Sequence, residues 1–558
     1  MAPQHLAVEG ASSPHRRGQD ALATAGKVPA LRLGTGAILC LRYHRFSVRA
    51  PLSLSQVFPV VLLLGLLGMT ARPATDPDLW WHLRTGQWIV ETGHVPHSDP
   101  FSFTRAGQPW VSHEWLSEVV FYETRKHAGA LGLIAVSAIV TTAGFMLLYL
   151  RCPGKPHWAA AAIALGALAS APAWGVRPQM FTFALASLLL WLLDRGEERP
   201  WLLVSIPPMF LLWLNLHAGF ALGPALMLAY GFGLLVELAI GNTAWREAWP
   251  VLARLLLLVL ACLALVPLNP SGVQLYRYPL DTLRSSGMRS FIVEWFSPNF
   301  HDARFVPFVI VFLLLLTVLA CKLARPRTRT LVPLVLTTLL ALDAVRHIPI
   351  FVLLAIPVIA AGVAASSPAV GRNIASPTVQ VRPIFNALAV VLMAGFGLVR
   401  WGVLARGQAA TEAQQFPEKA VQALRSRAAG GEVLAYYDWG GYTIYKLYPQ
   451  YRVFVDGRAD LYGDDLLRQF QTAVQLRTGW REVLDRWNVG SVLLPPYCAL
   501  AQALVLDPDW HLEYRDSQAL VLLHTSRSSQ KANGSTNPSP ASEKSAKMLD
   551  EPVLDLRH

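Results

Sequence analysis

Eleven apolar runs, each near the roughly 20 residues that a helix needs to cross a bilayer, lie at about 52–71, 129–150, 157–173, 179–193, 201–216, 218–240, 251–268, 304–323, 331–344, 346–365 and 384–404. In hydrocarbon every backbone N–H and C=O must find its partner within the segment, so runs of this kind fold as transmembrane helices. Hydrophobic residues make up 53% of the chain and charged ones 15%, which excludes an ordinary water-soluble enzyme. Three pairs of runs are split only by short polar breaks at Arg177, His217 and Arg346, and fusing any pair would reverse the sidedness of everything downstream.

The charge bias fixes that sidedness. Arg16, Arg17, Lys27, Arg32, Arg42, Arg45 and Arg49 precede the first run and place the N-terminus in the cytoplasm by the positive-inside rule. Counting eleven helices forward then puts Arg151, Lys155, Arg195, Arg199, Arg246, Lys322, Arg325, Arg327, Arg329, Arg372 and Arg382 in inside loops. The net charge of +12 is therefore read as topology, and no motif suggests nucleic acid as a partner. Cys40, Cys152, Cys262, Cys321 and Cys498 are scattered, with no metal or disulfide spacing.

The same count divides the chain into a basic cytoplasmic tail (1–50), expected to be disordered, a membrane domain (51–404) with outward loops at 72–127 and 269–303, and an outward soluble domain (405–525). In the soluble domain Val433 to Tyr437, Arg452 to Val455 and Ser491 to Leu494 read as strands, with helices over Ala420 to Arg427 and Leu466 to Leu476, hence an α/β domain. Residues 526–558 are rich in Ser, Asn, Pro and Lys and are expected to be disordered.

The loop 72–127 gathers Asp76, Asp78, His82, Asp99, His113 and Glu114 among tryptophans. Two amphipathic segments, about 79–91 and 112–126, suit the membrane interface, with Trp80, Trp81, Trp88, Trp110 and Trp115 as its aromatic belt. Asp78 and Ser112 stand where helix N-caps are wanted. A cap and a catalytic role are compatible, because a carboxylate fixed at a helix start is already oriented.

With Asp78, Gly86 and Gly93 at their spacing after the first helix, residues 50–365 resemble the GT-C superfamily of multi-spanning glycosyltransferases, which include protein-mannosyl, aminoarabinose and oligosaccharyl transferases. The resemblance implies a multi-pass helical fold in a bacterial-type plasma membrane, a polyprenyl-phosphate-linked sugar as donor, and a glycan, lipid or protein acceptor on the non-cytoplasmic side. It also implies an essential carboxylate in the first outward loop. Many members have Asp-Glu there, whereas here Leu79 follows Asp78 and a second carboxylate, Asp76, precedes it.

The chemistry asks for a base to take the acceptor's hydroxyl proton, worth about 10²- to 10⁴-fold in rate, and Asp78 is the candidate. Asp76, His113 and Glu114 would orient the acceptor, or, with Asp76 and Asp78 as ligands, hold an optional Mg²⁺ or Mn²⁺. The leaving phosphate needs cations, and Arg177, His217, Arg346 and His347 stand at outward helix ends. The plain alternative for these is snorkelling, with Asp343 pairing Arg346 on its own helix. Glu294 in the second outward loop offers a further carboxylate. In the soluble domain VLAYYDWGGYTIYKLYPQYRVFVDGRADLYG resembles the VxxWWDYGxxI segment of oligosaccharyltransferase catalytic subunits, which implies acceptor contacts for Tyr437, Asp438 and Trp439. Asp456, Gly457, Arg458 and Asp460 read equally as a salt-bridged turn or as a polar acceptor site.

Two other classes compete. A non-enzymatic membrane subunit for envelope polysaccharide assembly or export would tolerate alanine at Asp78. A secondary transporter would need inverted repeats, and no internal repeat is found.

Overall fold

Every one of the eleven apolar runs is helical in the computed structural model, which describes residues 54–366, 383–427 and 430–527. The segments 1–50 and 528–558, with Arg372 and Arg382, lie outside the described residues. In chain order the helices are α1 (Leu54–Thr70), α2 (Leu79–Thr92), α3 (Trp115–Arg151), α4 (Pro156–Ser170), α5 (Gln179–Gly196), α6 (Ile206–Leu216), α7 (Leu222–Ala239) and α8 (Trp245–Leu265). They continue as α9 (Tyr278–Arg284), α10 (Ser286–Phe291), α11 (Val306–Ala320), α12 (Thr328–Asp343), α13 (Ile348–Ser366) and α14 (Pro383–Gln415). Six segments are long and apolar enough to cross a membrane: Trp115–Arg151, Ala218–Ala239, Trp245–Leu268, Ala303–Ala320, Val345–Ser366 and Ile384–Gln415. Gln56–Thr70 and Pro200–Leu216 are shorter apolar helices.

Packing follows from which faces are apolar. Helix α13 is apolar all round and buried on nearly every face, so it forms the centre of the bundle, with Phe351 against Phe308. Helix α3 holds a non-helical residue at Gly129, where the run expected to start the second span begins. The helix ends expected inside meet one another: Arg151 pairs with Asp194 at 2.7 Å, and Arg329 with Glu237 at 2.8 Å and Glu197 at 3.3 Å, where Arg327 joins at 3.1 Å.

The C-terminal region adds α15 (Glu418–Arg425), β1 (Gly431–Ala435), α16 (Tyr437–Leu447), β2 (Tyr451–Val453), α17 (Ala459–Val474), α18 (Trp480–Arg486), β3 (Ser491–Leu494), α19 (Ala499–Val505), β4 (Trp510–Arg515) and β5 (Leu520–His524). They form one five-stranded sheet of order β2-β1-β3-β5-β4. β1 runs parallel to β2 and β3, with Val433 opposite Val453 and Ser491, while β5 is antiparallel to β3 and β4. The loop 72–127 extends this sheet: Ser102 bridges Val453 in parallel, Phe103 N–H donates to the Val453 carbonyl at 3.1 Å, and Val453 N–H to that of Phe101 at 3.2 Å.

Several expectations need correction. Helix α14 continues to Gln415, so residues 405–415 extend the last membrane helix rather than begin the soluble domain. β1 ends at Ala435, and Tyr437 opens α16 instead, a helix whose Gly440 and Gly441 leave room for the Val455–Asp456 backbone and the Pro77 carbonyl to lie directly against it. Trp80, Trp81 and Trp110 are not a lipid-facing belt. The C-terminal region covers them, with Trp80 edge-on to Tyr442 at 4.9 Å and to Phe416 at 5.3 Å.

Candidate active site

Two glycines shape the segment that carries Asp78. Gly93 ends α2 in the left-handed region, at φ 73°, where its N–H closes the last turn on the Ile89 carbonyl at 2.8 Å. Gly86 lets α2 lie directly on α3, since a Cβ there would collide with the Glu118 backbone. Asp78 occupies the N-cap position of α2 but makes no capping bond, because its backbone is already helical. Its Oδ1 instead accepts from Trp81 Nε1 at 3.3 Å, and its own N–H donates to Asp76 Oδ1 at 2.9 Å. Ser112 does not cap either; its hydroxyl donates to Glu118 Oε2 at 3.3 Å.

From Asp76 a chain of alternating charge crosses the molecule. Arg177 donates to Asp76 through Nε and to Glu294 through an amino group, and Glu294 Oε1 lies 3.5 Å from Arg346, whose guanidinium stacks 4.4 Å over Trp295. Asp76, Arg177, Glu294 and Arg346 thus share one network, while His217 lies against Glu114 instead. Asp343 faces Arg289 at 3.9 Å, so the intrahelical pair with Arg346 is not formed. His347 turns away, its Nδ1 3.1 Å from the Leu340 carbonyl, in contact with the end of α12.

A second cluster surrounds Glu114. Its carboxylate lies 3.2 Å from His113 Nε2, 3.3 Å from His217 Nε2 and 3.5 Å from His82 Nε2, while His82 Nδ1 is 3.5 Å from Glu118. The tautomer of His217 follows from its other side. Nδ1 accepts from Gly219 N–H at 2.9 Å and faces the Thr182 hydroxyl at 2.8 Å, which itself accepts from Trp213 Nε1. The proton of His217 therefore sits on Nε2, directed at Glu114.

Electrostatics separates the two carboxylates. Burial, reinforced by Asp76, raises Asp78 to about 7 against the pull of Arg177 and His82. Burial acts in the same direction on Glu114, but His113 and His217 outweigh it and hold the carboxyl at about 2. His113 rises to about 9, burial being overcome by Glu114. Glu294 is held below its ordinary value because Arg177 and Arg346 outweigh its burial. One carboxylate is thus poised to exchange a proton near neutral pH while another stays ionised.

The C-terminal region closes over Asp78. A Cβ at Gly457 would collide with the Asp78 carboxylate, and one at Gly441 would come within 2.9 Å of the Pro77 carbonyl. The Tyr437 hydroxyl is buried without a hydrogen-bond partner, within the field of Asp78. Asp438 is exposed and feels Asp76 and Arg177. Trp439 is spent elsewhere, its Nε1 donating to the Gln415 carbonyl at 3.1 Å. Asp456 and Arg458 form a salt-bridged turn: Arg458, 1% exposed, binds Asp456 through two nitrogens at 2.6 and 2.8 Å and Asp99 at 2.7 Å. Asp460 faces His113 and Tyr278.

Among the described residues no group of three or more His, Cys, Asp or Glu is placed to hold a metal ion. The pair expected to serve, Asp76 and Asp78, has one member committed through both oxygens, to Arg177 and to the Asp78 amide. Sequence reading gave His82 no role and did not select Glu118 or Tyr278 for the site. Glu114 and Glu118, four apart on a helical segment, were the available signal for the first two.

A scan against protein-family models and a search of curated proteins find no match to the sequence. Among solved structures the chain is similar to the archaeal oligosaccharyltransferase AglB from Archaeoglobus fulgidus, in complex with an inhibitory peptide and a dolichol-phosphate: TM-score 0.49, 10% identity, covering 79% of this chain and 69% of that one. It is also similar to ArnT from Cupriavidus metallidurans bound to undecaprenyl phosphate, with TM-score 0.45, 16% identity, and 84% and 97% of the two chains covered. A third is the arabinofuranosyltransferase AftD from Mycobacteria, with TM-score 0.43, 13% identity, and 85% of this chain against 40% of that one.

Proposed function

We propose that the chain is an integral membrane glycosyltransferase of GT-C type that moves a sugar from a polyprenyl-phosphate carrier to an extracytoplasmic acceptor, with Asp78 as general base. The observation that carries this reading is the position of Asp78: a carboxylate free of any capping bond, raised to about 7, beside the Asp76–Arg177–Glu294–Arg346 chain. A base acts best when its pKa lies near the operating pH. In the transfer the bond from the anomeric carbon to the phosphate oxygen breaks, the acceptor oxygen bonds to that carbon, and its proton passes to Asp78. A single base acting in this way inverts the anomeric centre.

Arg177 and Arg346 would receive the leaving phosphate by exchanging Glu294 for it, so that the charge they balance stays negative throughout. His217, a neutral donor on the far side of Glu114, completes the wall, and His347 contributes only packing. Tyr437 and Asp438 would meet the acceptor. A divalent Mg²⁺ or Mn²⁺ remains optional in this scheme, held through Asp78. The basic loops support an N-terminus inside and a C-terminal domain outside a bacterial-type plasma membrane, with all eleven helices crossing.

The test is radiolabelled transfer from a panel of polyprenyl-phosphate sugars, using membranes that contain the wild type or Asp78→Asn. Transfer by the wild type alone supports the reading. Equal transfer by both removes Asp78 from the mechanism, and transfer by neither leaves the non-enzymatic membrane subunit as the better account.

A further inference from the structure

A second cationic pair, joined to this network by no hydrogen bond or ion pair among the described residues, lies where α1 meets α14. Arg72 follows α1, and Arg400 sits on α14 with an amino group donating to the Ala71 carbonyl at 3.2 Å. The junction is held in place by Gln408, whose side chain accepts from Ala74 N–H and donates to the Ala74 carbonyl, both at 3.1 Å. Among the described residues neither arginine has a carboxylate partner, in contrast to Arg177 and Arg346. Burial first and the Arg400 charge second hold the Arg72 guanidinium below its usual value, so the two cations repel. Two donors beside them are also idle: Arg72 Nε and Trp174 Nε1 are buried without a hydrogen-bond partner, and the Arg72 guanidinium lies 5.7 Å over the Trp174 ring.

Two like charges and two unpartnered donors in a half-buried corner lose free energy unless an anion joins them. The surroundings say what kind. Helix α14 leads up to Arg400 with an exposed apolar face that includes Leu388, Val391, Leu392 and Val399, and no element among the described residues covers it. A ligand whose acyl or prenyl chain lies along that face would bring its headgroup to the two guanidiniums.

We propose that Arg72, Arg400 and Trp174 form a phosphate-binding site for a lipid headgroup at the α1–α14 junction, separate from the Arg177–Arg346 network. The phosphate oxygens would accept from both guanidiniums and from the indole N–H, and neutralise the repulsion between the arginines. The lipid is either a polyprenyl monophosphate or an anionic glycerophospholipid, which share this headgroup chemistry. The inference does not depend on the transfer reaction.

The experiment is native mass spectrometry of the purified full chain in detergent, titrated separately with polyprenyl monophosphate, phosphatidylglycerol and inorganic phosphate. The wild type, Arg72→Gln/Arg400→Gln, Arg72→Lys/Arg400→Lys and Arg177→Gln are compared. The expected result is one tightly bound lipid lost at least tenfold in affinity in the Gln double variant, largely restored by Lys and unchanged by Arg177→Gln. Preference for one lipid identifies the source, and competition by inorganic phosphate would show that the headgroup alone suffices. Equal binding by wild type and the Gln double variant would overturn the site, as would loss through Arg177→Gln alone. Should the double variant fail to fold, Arg400→Gln alone serves, with the same readings.

Discussion

Asp78→Asn should make the protein more stable while it abolishes transfer. Moving a carboxyl from its ordinary 3.8 to about 7 in the folded state penalises the ionised form by about 4 kcal/mol, at about 1.4 kcal/mol per pH unit. The sign is fixed by proton counting. The folded state holds its proton to a higher pH than the unfolded state does, so stability falls as pH rises between these two values and levels off above about 7. Asparagine has nearly the same shape, can still accept from Trp81 Nε1, and carries no charge. The variant should therefore exceed the wild type by about 2 kcal/mol at pH 5 and about 4 kcal/mol at pH 8. Thermal unfolding in detergent from pH 4.5 to 8.5, followed alongside transfer in the same preparations, reads both. A gap that does not widen between pH 5 and 7, or a variant less stable than the wild type at pH 8, would refute the claim that Asp78 is a buried, electrostatically disfavoured base.

Three further outcomes follow from the geometry. Gly457→Ala places a methyl against the Asp78 carboxylate; overpacking of this kind costs about 1–3 kcal/mol, and initial-rate measurements should show transfer falling more steeply than the unfolding midpoint. Arg458→Met strands Asp99 and Asp456 as buried carboxylates, a loss of about 3–5 kcal/mol, which limited proteolysis would register as early cleavage in the loop 72–127. His113, raised to about 9 by Glu114 against its burial, contributes stability that is complete below its unfolded value near 6.5 and disappears as pH rises through about 9. That contribution is about 3 kcal/mol, and unfolding of His113→Gln should lack the alkaline decline seen in the wild type.

The helices were legible because lipid removes alternatives: each apolar run had to be helical, and α1 to α14 occupy every run. Arg177 and Arg346 could be nominated because charge at a helix end is costly unless it is used, and Asp76 and Glu294 as carboxylates of the two long loops. Which of them would pair could not be read, since Arg177 meets carboxylates 101 and 117 residues away. The tryptophans misled for a related reason. An amphipathic helix looks the same whether its apolar face meets lipid or a protein domain, and only the fold places Phe416 and Tyr442 over Trp80. That His82, Glu114 and His217 meet was hidden because they come from three elements, and no spacing in the chain says which ends lie together.

The strand pairing between residues 101–103 and β2 also sets an order of events. A ribosome makes Thr104 about 350 residues before Phe454, whose carbonyl accepts its hydroxyl proton. Until that partner arrives, residues 101–103 have no strand to pair with, and nothing from the C-terminal region covers Asp78. A half-made chain therefore lacks the wall that Gly441 and Gly457 bring against Pro77 and Asp78.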